Sequence, residues 1–401
     1  MNSYQPSVKV LQKYADVLVN YALNSGHGVK KGEVVQCVVP DIAKPLGLQL
    51  QNVLLQAGAQ PLIRLIPTGF SKDFFALANQ AQLTFFPKAY LKSRVKLIDH
   101  NIAIIADPDP EELKAIDPQK IILNRDSQKP YKDWLTQKEV KGKFTWVAAL
   151  WGTAAKAKLV GLSYRSYWQQ IIKTCFIDQE NPIVSWKKIS RLQTEILKKL
   201  NALPIQLIKV KAKDVNLTFS LGKNRRWQGG SGRNIPSFEI FTSPDWSGTN
   251  GLITFNQTLY RYGQIIKGIS LKFKNGLVIK GYAQQGNRLL QAMLKSKNAN
   301  KVGEFSLTDN RLSRLTHIMA ETLFDENLGG QFGNFHLALG AAYKDCYRGS
   351  SKSLTPADWQ RLGFNDSAEH TDIITTTDRT VTVTLNSGKK LIIYRSGRFT
   401  L

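Results

Sequence analysis

Cysteine is scarce in this sequence, with three residues among 401. They are odd in number and far apart, which excludes a disulfide framework and any CxxC metal site. Cys37 lies in an apolar run and is expected to be a small core residue. Cys346 has no histidine spaced to activate a thiolate, so no catalytic cysteine is expected there. The remaining cysteine is Cys175.

Long hydrophobic runs are absent as well. No stretch approaches the roughly 18 consecutive apolar residues of a membrane-spanning helix. The first residues also lack the charged segment and apolar segment of a secretory leader. An apolar content of 42% is that of an ordinary globular protein. We therefore expect a soluble, cytoplasmic protein with no membrane association.

Acidic residues are few compared with basic ones, 30 against 55, which gives a formal net charge of +25. Such a balance is typical of proteins that bind nucleic acid or anionic membranes. The lysines and arginines, however, occur singly or in pairs, and no nucleic-acid-binding module is recognisable. The charge predicts mainly a solvated basic surface, and specific nucleic-acid binding is disfavoured.

The first half of the chain lacks a G-x-G-x-x-G motif after its first predicted strand, which argues against a dinucleotide site. Its strands and helices alternate, and this indicates a mostly parallel sheet covered by helices. Later strands are separated by hairpin turns. We predict an α/β N-terminal domain at 1–190 and an α+β C-terminal domain at 191–401. The predicted helices are 8–23, 42–57, 164–176 and 185–200, and the predicted strands are 34–39, 61–66, 102–105, 145–150, 205–210, 215–220, 270–273, 277–283, 380–385 and 390–394.

Histidine is scarce too, with five residues. His336 lies in a glycine-flanked apolar run inside the segment 321–343, which also contains Glu326 and Tyr343. The run predicts a loop that enters a buried strand or a tight helix, and this places His336 near the core. A single buried histidine is more often satisfied by a backbone carbonyl than bound to a metal. Its role therefore depends on whether other ligands are present.

Further candidate ligands follow the N-terminal half. Glu239 lies on a short extended segment, and Glu304 follows a glycine in an apolar run. His370 and Asp372 share one face of an extended strand, because side chains alternate with a period of two. Together these residues predict a site for two divalent cations about 3.5 to 4 Å apart, as hydrolases use to activate water and polarise a carbonyl. Carboxylates and imidazoles without cysteine suit zinc, cobalt or manganese.

At four successive motifs the sequence resembles the thermophilic metalloaminopeptidase family that includes aminopeptidase T and aminopeptidase S. Similar stretches also occur in the N-terminal half, at Trp151-Gly152-Thr153 and at 175–178. The resemblance implies a cytoplasmic, homodimeric exopeptidase that removes N-terminal residues from peptides by means of a two-metal-activated water. The four motifs are R-N-I-P-x-x-E-I-F-T-S-P around Glu239, Gly303-Glu304, L-F-D-E-N-x-G-G-x-x-G-N-x-H-L-A-L-G-x-A-Y, and His370-x-Asp372.

The same resemblance implies individual roles. Glu304 would bridge the two ions, and Tyr343 would contact the substrate carbonyl or the tetrahedral oxyanion. A carboxylate near the metals is needed to take a proton from the bridging water, and we assign this role to Glu239. Glu326 would be an additional ligand or would orient His336. The implied metal ligands are Glu239, Glu304, His336, His370 and Asp372.

Two alternatives remain open from the sequence. A catalytically idle protein of the same fold would use its basic surface to bind nucleic acid or an acidic partner. A metal-dependent hydrolase acting on another kind of amide would share the same site and differ only in its pocket. If the enzyme is an aminopeptidase, a basic surface around the mouth of the site would favour acidic peptides.

Overall fold

The computed structural model describes residues 4–230, 232–351 and 353–401. Helices dominate the chain up to residue 202 and strands dominate the remainder. This confirms the predicted combination of an α/β N-terminal region with a strand-rich C-terminal region. In the described part of the chain, no helix is long and apolar enough to cross a membrane. The α-helices are Val8–Val17, Leu23–Gly26, Lys44–Gln56, Phe70–Leu77, Gln80–Leu83, Lys88–Leu97, Pro118–Ser127, Lys129–Val140, Ala154–Leu159, Tyr164–Thr174, Pro182–Ala202, Asn287–Lys295, Thr322–Asp325 and Pro356–Arg361.

The first helix is shorter than the predicted 8–23. After Val17 the chain continues as a π-helical turn, and Asn24 and Ser25 then adopt left-handed backbone angles. Asparagine tolerates this conformation because its short side chain can bond nearby backbone. Here the Asn24 amide donates to the carbonyl oxygen of Gly28 at 2.8 Å and to Glu33 at 3.0 Å. These contacts hold the left-handed turn that follows the helical segment.

Among the described residues, the N-terminal sheet has five strands, all of them parallel. Four of them are the predicted strands of the first half. The fifth, Asn234–Ile235, comes from the second half and pairs with Ala148 and Ala149. Sequence patterning missed it because two residues are too few to show a period. In spatial order the strands are Gln60–Ile66, Val34–Pro40, His100–Ile105, Thr145–Leu150 and Asn234–Ile235.

Two antiparallel sheets form most of the second half. We call the smaller one the site sheet; its strands, in spatial order, are His370–Thr375, Asn334–Gly340, Val302–Thr308, Glu239–Thr242 and Gln228–Gly229. The larger one has, in spatial order, Leu277–Tyr282, Ser270–Lys274, Asp245–Thr254, Val215–Ser220, Ile205–Ala212, Arg379–Leu385, Lys390–Arg395 and Arg398–Phe399, and a separate ribbon joins Leu259–Arg261 to Gln264–Ile266.

The two main cores are joined by one long helix. Trp168 and Trp186 are buried in the core around the parallel sheet. A second core lies between the site sheet and the larger antiparallel sheet. The helix Pro182–Ala202 contributes Trp186 to the first core and Leu200 to the second. It therefore runs across the predicted boundary at residue 190, whose position stays a prediction.

Candidate metal centre

The site sheet has one apolar face and one polar face. Side chains alternate between the faces along Val302–Thr308 and Asn334–Gly340, and every residue of both strands is buried. The polar face carries Glu304, Ser306 and His336, with Ser306 directly opposite His336. Of the two structures predicted around His336, a buried strand or a tight helix, the chain forms the buried strand. The apolar face packs into the second core with Phe305, Leu307, Phe335, Leu337 and Leu339.

Small residues leave room above this face. Ala338 lies between Glu304 and Asp372 in the neighbouring strands, and Gly340 lies opposite His370. Because neither Ala338 nor Gly340 fills the space over the sheet, the longer side chains on both sides can converge there. The alternation that buries apolar residues on one face thus places carboxylates and imidazoles together on the other.

Glu304 lies between the two histidines. One of its carboxylate oxygens is 3.4 Å from Nε2 of His336, and the other is 3.4 Å from Nε2 of His370. Glu239 approaches His336 Nε2 at 3.4 Å, and Asp372 is 3.4 Å from His370 Nε2 and 3.9 Å from His336 Nε2. All five residues predicted as ligands therefore meet at one place.

Glu326 joins the same cluster from the loop after Thr322–Asp325. It has ligand atoms within 4.8 Å of those of His336 and Asp372. Its side chain accepts a hydrogen bond from Asn234 at 3.1 Å, and Nδ1 of His336 has no hydrogen-bond partner among the described residues. Glu326 therefore makes no direct hydrogen bond to Nδ1 of His336. Its role, as a ligand or as a residue that orients His336, stays a prediction.

The hydrogen bonds of His370 define its tautomer. Its Nδ1 lies 2.8 Å from the carbonyl oxygen of Ala341, which only accepts, so Nδ1 carries a proton and Nε2 is the nitrogen that faces the carboxylates of Glu304 and Asp372. Within the described chain, this Nε2 and Oδ1 of Asp372 are buried without a hydrogen-bond partner. Buried polar atoms in this state are costly. A divalent cation would satisfy them, and oxygen and imidazole donors fit zinc, cobalt or manganese.

The electrostatics of the cluster indicate an excess of negative charge. Burial, followed by the charge of Glu304, raises the pKa of Glu239 to about 8. Burial and the charge of Glu239 likewise raise the pKa of Glu326 well above its usual range. Burial alone would lower the pKa of His336, but its contact with Glu304 and the surrounding carboxylates outweigh this and raise the pKa to about 9. Without metal the cluster therefore retains protons that a bound cation would displace.

Tyr343 borders the cluster beside His370. The two rings meet edge to face with centroids 4.9 Å apart. Burial and the nearby charges of Glu304 and Asp372 raise the pKa of the tyrosine well above its usual range. Its hydroxyl is therefore protonated and can donate a hydrogen bond.

The cluster lines a small cavity of ≈ 30 Å³, enough for one or two water-sized groups at about 10 to 15 Å³ each. A cleft of ≈ 680 Å³ lies next to it, and Trp146, Arg233 and Tyr343 line both. Trp146 and Asn234 come from two strands of the parallel sheet. Our sequence interpretation did not single out Trp146, Arg233 or Asn234, although the last two belong to the R-N-I-P motif beside Glu239.

Comparisons with known proteins agree with this geometry. The model of a family described as thermophilic metalloprotease (M29) matches residues 8–399. Aminopeptidase 2 of Geobacillus stearothermophilus is 27% identical, with 98% of each chain covered. Aminopeptidase T of Thermus aquaticus is 25% identical, again with 98% of each chain covered. The solved structure of wild-type AmpT from Thermus thermophilus superimposes with a TM-score of 0.82 at 22% identity, covering 98% of this chain and 99% of that one, and shows a shared fold.

Proposed function

The chain belongs to the thermophilic metalloprotease family and is a metal-dependent peptide hydrolase, and we propose that it releases N-terminal residues from peptides with two divalent ions. The observation that carries the two-ion proposal is the position of Glu304, which directs one carboxylate oxygen to His336 and the other to His370. A carboxylate in this position matches a bridge between two ions. The curated relatives aligned over nearly the whole chain are named as aminopeptidases, which supports exopeptidase activity.

We assign Glu304 as the bridge between the ions, and Glu326 as an additional ligand or as a residue that orients His336. Zinc, cobalt or manganese ions at this site would lower the pKa of a water molecule and polarise the scissile carbonyl. The buried Nε2 of His370 and Oδ1 of Asp372, which have no hydrogen-bond partner in the described chain, fit such ions. The proposed ligands are Glu239, Glu304, His336, His370 and Asp372.

Two residues of the chain would handle protons and developing charge. Glu239, 3.4 Å from His336 Nε2, would take the proton of the attacking water and pass it to the amine that leaves. The protonated hydroxyl of Tyr343 would donate to the oxygen of the scissile carbonyl as negative charge develops on it. The free amine of the substrate would bind a carboxylate or an ion of the cluster.

The adjacent cleft would hold the rest of the peptide. Asp133 and Asp366 both pair with Lys129, and Glu139 and Asp345 both pair with Arg233. Within the described residues, three further cations of the cleft form no ion pair, and they would favour peptides with acidic side chains. These cations are Lys132, Arg226 and Lys344.

We also propose a cytoplasmic homodimer, since the family resemblance implies both properties. Size-exclusion chromatography with light scattering would test the oligomeric state. A monomer at micromolar concentration would contradict the dimer and leave the enzymatic proposal intact.

The first experiment combines elemental analysis of the purified protein with hydrolysis of aminoacyl amides and short peptides. We expect close to two equivalents of metal per chain, release of the first residue, loss of activity on chelation, and no cleavage of N-acetylated peptides. Cleavage of the acetylated controls would contradict the aminopeptidase and favour hydrolysis of another amide. Absence of both metal and hydrolysis, with steeply salt-dependent binding to nucleic acid, would favour the idle binding protein.

A further inference from the structure

A buried carboxylate directly precedes the strand His370–Thr375. The side chain of Glu369 is 1% exposed, yet it carries a charge: burial alone would raise its pKa, but Arg261 and Arg125 outweigh burial and lower the pKa to about 2. The carboxylate accepts hydrogen bonds from Arg261 at 2.9 Å, from the hydroxyl of Tyr262 at 3.0 Å, and from the hydroxyl of Thr371 at 2.6 Å. Arg125 donates to its second oxygen.

The two arginines come from distant parts of the chain. Arg125 lies near the end of the helix Pro118–Ser127, and its second terminal nitrogen donates to Ser296 at 2.8 Å. Arg261 ends a strand of the two-stranded ribbon. Planar guanidinium groups hold a carboxylate in a defined direction. Glu369 is therefore fixed from two sides, once by the helical half of the chain and once by the strand-rich half.

This fixed carboxylate is coupled to His370 through the backbone. Arg261 donates to the carbonyl oxygen of His370 at 2.8 Å with the same nitrogen that contacts Glu369. The carbonyl oxygen of Glu369 accepts a hydrogen bond from the backbone amide of Ala341 at 2.7 Å. The carbonyl oxygen of Ala341 in turn accepts a hydrogen bond from Nδ1 of His370. Gly340 has φ +104°, and a Cβ at this position would lie 2.1 Å from the carbonyl oxygen of Glu369. The backbone of Glu369 and the direction of the His370 ring therefore depend on each other.

We propose that Glu369 is a positioning residue for His370, held in place by Arg125 and Arg261, so that the helix Pro118–Ser127 sets the metal affinity of the site sheet. The inference rests on the proposed role of His370 as a metal ligand. Glu369 acts on the metal only through the imidazole that it positions. Partners of this kind typically change metal affinity by about 10-fold to 100-fold when they are removed.

The test measures metal affinity in E369Q, which keeps the side-chain shape and removes the charge. Metal-free protein is titrated with Zn²⁺ in a calorimeter and with Co²⁺ in a spectrophotometer, whose visible bands report the ligand geometry. We expect one of the two binding steps to weaken by about 10-fold to 100-fold, with altered Co²⁺ bands. R125M should weaken the same step, and R125K should restore part of the affinity because it keeps the charge but not the fork.

The matched control is D309N, because Asp309 is also fully buried and paired with an arginine, Arg311. We expect D309N to lower the melting temperature and to leave both binding steps unchanged. If E369Q does not fold, Y262F serves instead, since it removes only the hydroxyl that contacts both oxygens of Glu369.

Wild-type affinity at both steps in a folded E369Q or Y262F variant would overturn the positioning role. In that case the wild-type protein would still bind two ions and hydrolyse peptides, so the proposed function would stand. A wild-type protein that binds no metal would overturn the proposed function itself. The two failures are therefore distinguishable in one set of titrations.

Discussion

Two buried histidines, His100 in the parallel sheet and His336 in the site sheet, differ in the polar groups that surround their rings. His100, in the parallel sheet, is 3% exposed, and both of its ring nitrogens have a partner: Glu33 at 2.9 Å and Thr145 at 2.8 Å. His336, in the site sheet, is 1% exposed and has three carboxylates within 3.9 Å of one nitrogen. Its other nitrogen has no partner in the described chain.

The difference separates a structural histidine from a candidate ligand. One carboxylate and one hydroxyl satisfy His100, so the parallel sheet needs nothing further at this position. Around His336 and His370, by contrast, carboxylates outnumber imidazoles, and several buried atoms lack a hydrogen bond. Burial alone therefore says little about a histidine, whereas an excess of buried carboxylates around it indicates a site that could hold a cation.

The most direct test of this difference is to replace each histidine by glutamine. H336Q should lose more than about 100-fold in kcat/KM, since losing a ligand costs more than losing a partner of a ligand. H100Q should keep kcat/KM. Its free energy of unfolding should fall by about 1 to 3 kcal/mol, because one buried hydrogen bond is lost. Peptide-amide hydrolysis and denaturant unfolding measure the two effects. An active, metal-loaded H336Q variant would remove His336 from the ligand set.

Within the site, a change at Tyr343 should distinguish residues that contact the substrate from residues that bind the metal. Y343F should lower kcat by about 10² to 10³, the usual effect of losing one oxyanion donor, with metal affinity unchanged. Y21F is the control, since Tyr21 is buried in the first core, where its ring stacks on Trp186. Steady-state kinetics and a metal titration provide the data. Equal kcat in Y343F and the wild type would contradict the oxyanion role.

Metal removal should affect stability in a pH-dependent way. Metal at a free concentration of 100 times its Kd should raise the free energy of unfolding by about 2.7 kcal/mol. Without metal, folded Glu239 keeps its proton up to about pH 8, whereas its ordinary pKa is 4.5, so stability falls as pH rises between these values. The stabilisation from protonated His336 is complete below its ordinary pKa of 6.5 and is lost as pH rises through about 9.

Both effects have the same sign, and bound metal displaces both protons. The gap in melting temperature between metal-loaded and metal-free protein should therefore widen from about pH 5 to about pH 9. Scanning calorimetry at several pH values measures it, with H336Q as the control in which the gap is small. A gap that narrows with rising pH would contradict the assignment of these groups as ligands.

The smallest expected effect concerns the cleft. At low salt, peptides with glutamate beyond the scissile bond should have kcat/KM up to about 10-fold above those with lysine, and the ratio should approach unity near 0.5 M salt because exposed charges are screened. K132M and K344M should each reduce the ratio, whereas K389M, on an exposed hairpin turn, should not. A ratio of one at low salt would contradict the preference for acidic peptides.

The sequence predicted those features that follow from local pattern. The strands Thr145–Leu150 and Val215–Ser220 have the predicted bounds, because the first is a short continuous apolar run and the second alternates apolar and polar residues. The convergence of the five proposed ligands could also be predicted, because the family resemblance links the motifs that contain them. The interaction of Arg125 with Glu369 could not be predicted in this way, because it joins residues 244 positions apart and neither residue belongs to a periodic pattern. Trp146 reaches the site only through the packing of two sheets.

The short strand Asn234–Ile235 also bears on how such a protein can evolve. It completes the parallel sheet of the first half, and the chain then reaches the strand Glu239–Thr242 of the site sheet. A first half inherited without it would leave Ala148 and Ala149 unpaired at the edge of the sheet, and open edges invite aggregation. The two halves are therefore poor candidates for independent exchange between genes, and recombination should preserve them as a single unit.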